Sequence, residues 1–88
     1  MPRYLVERAF TGVPELSVDA VVERNTDNGV TWMHSYVSED AGTMLCLYEA
    51  PSPEAIRRAA HHNDLPVDRI TKVSVLDPYS YPDQRRSQ

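Results

Sequence analysis

Val30-Thr31-Trp32-Met33-His34-Ser35-Tyr36-Val37, the turn Ser38-Glu39-Asp40-Ala41-Gly42 and Thr43-Met44-Leu45-Cys46-Leu47-Tyr48-Glu49-Ala50 together decide the fold. Both flanks of the turn are rich in β-branched and aromatic residues, and both are too short and too evenly alternating for helices. They read as a β-hairpin. Strict alternation puts Trp32, His34 and Tyr36 on one side of the first strand, and Met33, Ser35 and Val37 on the other. In the return strand Leu45 and Leu47 oppose Met44, Cys46 and Tyr48. The purely apolar leucine side is expected against the helices. His34, Tyr36, Cys46 and Tyr48 then gather on the reverse of the sheet.

Working outward, Arg3 to Phe10 alternates as a first strand, broken by Thr11-Gly12-Val13-Pro14. Ser17 is a good N-cap and Asp19 suits the first turn of a helix, with Val18, Val21 and Val22 as its buried stripe. Asn25-Thr26-Asp27-Asn28-Gly29 ends that helix, Gly29 fitting a left-handed position after the cap. Ser52-Pro53-Glu54 is a second start signal, with serine to cap, proline at the first helical position and an acid for the dipole. The stripe Ala55, Ile56, Ala59, Ala60 and Asn63 follows. Ile70 to Leu76 reads as the last full strand, and Tyr79-Ser80-Tyr81 as a short fifth strand against a partner. Residues 1–82 form one domain, and 83–88 a disordered polar tail.

The order β-α-β-β-α-β is the split βαβ, or ferredoxin-like, plan. This is an α+β fold with a four-stranded antiparallel sheet in the order 4-1-3-2 and two helices on one face. With Leu45 and Leu47 facing the helices, Val6, Val73 and Val75 should join them. Glu7, His34, Tyr36, Cys46, Tyr48, Lys72 and Ser74 then share the helix-free face, with Leu5, Trp32, Met44 and Leu76 open beside them. An apolar patch of that size calls for cover, and a second subunit packed sheet to sheet is the simplest one.

At 88 residues with 41% apolar side chains, the chain is one small domain at the lower end of what folds alone. Its formal net charge of −4, without a long Lys/Arg run, argues against nucleic acid and anionic membrane as partners. One cysteine excludes an internal disulfide and fits a reducing compartment. The start, Met1-Pro2-Arg3-Tyr4, has no apolar run with a cleavage site, so a cytoplasmic location is expected.

Glu7, His34 and Cys46 offer a carboxylate, an imidazole and a thiol, which borderline divalent ions such as nickel and zinc accept. The competing structural reading has Glu7 and His34 hydrogen-bonded to each other in a dimer seam, with Cys46 a small buried hydrophobe. His61 and His62 are a second candidate pair. Neighbouring helical residues diverge by about 100°, so they chelate one ion poorly unless the helix end unwinds. Two imidazoles there also simply complement the dipole.

Laid out in full, the chain resembles the small nickel-binding, nickel-responsive proteins of actinobacteria. The likeness rests on Arg3-Tyr4-Leu5-Val6-Glu7-Arg8, on Val30 to Val37 and on Cys46-Leu47-Tyr48. Ala50-Pro51-Ser52-Pro53-Glu54-Ala55-Ile56-Arg57 and Leu65-Pro66-Val67-Asp68-Arg69-Ile70 extend it to nearly the whole length. The resemblance implies a ferredoxin-like homodimer that binds nickel at its surface and sequesters it; it transfers no ligand position by position. The competing function is an enzyme of the dimeric α/β-barrel kind, an isomerase or small monooxygenase. Glu7 or His34 would be its base, and Trp32, Tyr36 or Tyr48 would line a pocket of several hundred Å³. Soft-metal chaperones need a paired cysteine, and RNA-recognition modules a basic face; both are missing here.

Overall fold

The structure is a computed structural model that describes residues 1–9 and 17–79. Its elements are β1 (Arg3–Ala9), α1 (Val18–Asp27), β2 (Thr31–Ser38), β3 (Thr43–Glu49), α2 (Pro53–His62) and β4 (Arg69–Val73). All strand pairs are antiparallel, and the sheet runs β2-β3-β1-β4, the expected order read from its other edge. Phe10, the break after it, residues 80–81 and the polar tail lie outside the described residues. So does most of the expected fifth strand; its first residue, Tyr79, sits exposed in a turn. β4 stops at Val73, short of the expected Leu76.

Both helices start where the capping chemistry puts them. Ser17 Oγ and Ser52 Oγ each accept a hydrogen bond from the backbone N–H three residues on, at 3.3 Å. Gly29 (φ +75°) closes α1, just beyond the Asn28 cap, in the left-handed region that favours glycine. α2 buries the stripe expected of it: Ala55, Ile56, Ala59 and Ala60, followed by Asn63. In α1 the stripe is narrower than expected. Val21 is buried, but Val18 and Val22 are exposed, and Asn25 takes the next inward position.

The faces of β3 are the reverse of the expectation, whereas β1 faces as expected, with Val6 toward the helices and Glu7 away from them. β1 and β3 pair Tyr4 with Tyr48, Val6 with Cys46 and Arg8 with Met44 on the helix side. Leu5 with Leu47 and Glu7 with Leu45 stand on the helix-free side. Cys46 is 1% exposed and Val6 0%, whereas Leu45 and Leu47 are half-buried. Val73, opposite Arg3, is on the helix-free side; Lys72, opposite Tyr4, is on the helix side but reaches solvent from an edge strand. Val75 lies beyond β4 and is exposed.

The physical reason is volume. The helix stripe is mostly alanine, so the sheet must fill the layer beneath it with large side chains. Tyr4, Tyr48, Ile70 and Trp32 do so in the core around Ala55, Ile56 and Ala59.

Strict alternation also fails once. Between Trp32 and His34 the β2–β3 register slips: Trp32 faces Tyr48, while His34 already faces Leu47. Met33 is the extra residue of this β-bulge. Trp32 and Ser35 therefore share the helix side, joined by a hydrogen bond from Trp32 Nε1 to Ser35 Oγ at 2.8 Å. His34 and Tyr36 point the other way. No helix among the described residues is long and apolar enough to cross a membrane.

Candidate functional site

The helix-free face is a ladder of cross-strand rows. One row runs His34, Leu47, Leu5 and Thr71; the next runs Tyr36, Leu45, Glu7 and Arg69. Glu7 and His34 share this face, as expected, but in different rows and separated by the leucines of β3. From strand spacing and rise, their Cα atoms stand on the order of 12 Å apart. Glu7 Oε2 is engaged instead by Arg69 Nε at 3.6 Å. His34 packs edge-on to Tyr36, ring centroids 5.2 Å apart.

Cys46, expected beside them, is on the opposite side of the sheet, where its sulfur accepts a hydrogen bond from Ser35 Oγ at 2.9 Å. The sheet itself keeps Cys46 from sharing an ion with Glu7 or His34 of the same protomer. Among the described residues no three metal-ligating side chains come together.

His61 and His62 end α2, both exposed, with ring centroids 6.3 Å apart. They are not equivalent. Asn28 Nδ2 donates to the Arg24 carbonyl at 2.8 Å, which fixes its amide, and it also lies 3.0 Å from His62 Nδ1. His62 Nδ1 therefore accepts, and in the neutral ring the proton sits on Nε2. A metal ion at His62 has to displace that arrangement, whereas His61 has neither nitrogen so engaged among the described residues. Asp64, at a left-handed φ of +56°, turns the chain back beside His61.

The space between sheet and helices holds what the sequence reading did not foresee, a buried polar cluster. Arg8 is 4% exposed and donates from Nη2 to Tyr48 Oη at 3.4 Å. Asn63 Nδ2 donates to Asn25 Oδ1 at 3.0 Å, and Arg24 Nη1 to Asn63 Oδ1 at 3.4 Å. Arg8, Asn25, Tyr48 and Asn63 line one cavity of about 10 Å³, room for a single water-sized body. Burial pushes the Tyr48 hydroxyl far above the usual phenol range; Arg8 opposes the shift without cancelling it. Two signals for this cluster were present in the sequence: Arg8 follows Val6 at strand spacing, and Asn25 follows Val21 at helical spacing. The pocket of several hundred Å³ that an enzyme would need between sheet and helices is not what these residues enclose.

Elements, strand order and face assignments define a ferredoxin-like α+β domain. The chain belongs to the family described as nickel responsive protein SCO4226-like, which it matches over residues 4–73. Among solved structures it is similar to SCO4226 from Streptomyces coelicolor A3(2), with a TM-score of 0.69 at 20% identity. That likeness covers 85% of this chain and 99% of the other, and at such identity it speaks for the fold alone. No curated protein matches the chain.

Proposed function

We propose that this chain is a small homodimeric protein that binds and sequesters nickel in the cytoplasm. The observation that carries the reading is membership of a family named for its response to nickel, over residues 4–73. The geometry supplies compatible parts. Imidazole is a good donor for nickel(II), and His61, His62 and His34 are all exposed. His61 is the leading ligand, because its ring is not held by the Asn28 bond that occupies His62. Such a site needs further donors, from Asp64, from solvent or from another protomer.

The homodimer is supported by the helix-free face, where Leu5, Leu45, Leu47, Val73 and the exposed Tyr36 form an apolar band. Glu7 and Arg69 flank it as an ion pair. Sheet-to-sheet packing would bury this band and bring the two copies of His34 toward one seam. A lone cysteine in the core also suits a reducing compartment.

Isothermal titration with Ni²⁺ on the wild type, His61→Ala and His34→Ala tests the reading. Uptake by the wild type that falls in His61→Ala supports it. A wild type that takes up no nickel above background ends it.

A further inference from the structure

Of the two imidazoles at the end of α2, the structure ties down His62, and it does so from the end of α1. That helix closes tightly. The backbone N–H of Asn28 donates to the Asn25 carbonyl at 3.0 Å, three residues back, and that of Gly29 to the Thr26 carbonyl at 2.9 Å. The tightened turn takes from the Arg24 carbonyl the N–H four residues on that a continuing helix supplies. The Asn28 side chain replaces it, Nδ2 donating to that carbonyl at 2.8 Å. The amide is thereby fixed with its nitrogen, not its oxygen, toward His62.

His62 Nδ1 lies 3.0 Å from this nitrogen, and only an unprotonated Nδ1 fits there. The consequence for a metal is chemical. A neutral imidazole that binds a metal through one nitrogen carries its proton on the other, and ligating histidines hand that proton to a carboxylate, a carbonyl or water. His62 has the inverse arrangement. Binding at Nδ1 must displace Asn28. Binding at Nε2 puts the proton on Nδ1, where it meets the Asn28 N–H₂ donor against donor. Turning the amide over to accept that proton sets its oxygen against the Arg24 carbonyl. The bond is exposed, so it biases His62 rather than sealing it. His61 has neither nitrogen held in this way among the described residues.

We propose, with nickel as the cargo argued above, that Asn28 is a positioning residue that holds His62 in the Nε2–H tautomer and withholds it from the metal, leaving His61 as the imidazole that binds. The end of α2 is then a one-histidine, exchangeable site. A single atom decides it, since an oxygen in place of Asn28 Nδ2 would accept the Nδ1 proton and make His62 a ligand.

The test reads tautomer and affinity separately. Nitrogen-15 correlation spectra of the imidazoles are recorded without metal at about pH 8, where unperturbed imidazole is neutral, on wild type, Asn28→Asp and Asn28→Ala. Isothermal titration with Ni²⁺ follows on the same proteins and on the double variant Asn28→Asp with His62→Ala. Expected are the Nε2–H tautomer at His62 in the wild type and the Nδ1–H tautomer in Asn28→Asp. Nickel should bind roughly tenfold or more tighter to Asn28→Asp, and the double variant should fall back to the wild-type affinity. A gain that survives in the double variant comes from the added charge alone and overturns the proposal. So does an Asn28→Asp protein that binds no tighter than wild type, or a wild-type His62 in the Nδ1–H form. Asn28→Ala is the second variant should Asn28→Asp fail to fold. The Nδ1–H form should appear in it and nickel bind tighter; no change in either overturns the proposal. If the wild type takes up no nickel, the preceding reading falls. Uptake by Asn28→Asp alone then still supports the role of Asn28, and uptake by neither overturns that as well.

Discussion

Leu47→Ala isolates the claim that the β3 leucines serve a second subunit rather than the helices. Leu47 stands between Leu5 and His34 in the middle of the helix-free face, half-buried in the single chain. Truncation to alanine removes three carbons, worth about 0.8 kcal/mol each on full burial, and with half of that burial already made in the protomer about 1.2 kcal/mol per copy falls on the interface. A two-fold interface contains the site twice, so dimerisation weakens by about 2.4 kcal/mol, a roughly 50-fold rise in the dimer Kd. Sedimentation equilibrium over a range of protein concentrations reads this directly. The control is Cys46→Ala, one residue along on the other side of the sheet. It costs the protomer about 1–2 kcal/mol of folding stability and leaves the dimer Kd alone. A Leu47→Ala protein whose Kd stays within about tenfold of wild type refutes the reasoning, as does a wild type that is monomeric throughout.

Val6→Ala, at a fully buried core position, should cost about 2 kcal/mol and lower the midpoint of thermal unfolding by roughly 8–16 °C by circular dichroism. Ser52→Ala removes the α2 cap and should cost about 1 kcal/mol in the same assay, whereas Ser52→Asp should keep most of the stability. Tyr48 gives a pH signature. Its folded-state pKa lies above that of the unfolded chain, so the native state holds the proton longer. Stability is full below about pH 10 and falls as pH rises beyond it, by up to about 1.4 kcal/mol per pH unit. Tyr48→Phe should flatten that slope in urea melts between pH 9 and 11, at a cost of about 1–3 kcal/mol near neutrality from the partner lost to Arg8.

Much of the architecture was legible because it is written in local chemistry. Ser17, Gly29, Ser52 and Pro53 mark helix ends by backbone geometry alone, and they sit where the structure uses them. Strand order followed from the element order and the known economy of the split βαβ plan. The sidedness of β3 was not legible. Met44, Cys46 and Tyr48 are nearly as apolar as Leu45 and Leu47, so alternation says which residues travel together but not which way they face. The pairing of β1 with β3 settles it, and no turn joins those strands to pin their register. Once Val6 meets Cys46, the leucines are committed to the outside. The error carried into the candidate site, separating Cys46 from Glu7 and His34. Arg8 was missed for a related reason: a cation on a strand is ordinarily a solvated side chain, and only the small helix stripe above it leaves room to bury one.

The bulge at Met33 acts as a phase shifter. Upstream of it β2 contributes Trp32 to the interior; downstream, the inward residue is Ser35, and His34 and Tyr36 look outward. Were the bulge ironed out, with Met33 taking the place opposite Leu47, the distal half of the strand would turn over, sending imidazole and phenol toward the core and Ser35 to the open face. The histidine on the open face thus owes its address to the bulge that lets Met33 pair with nothing across the ladder.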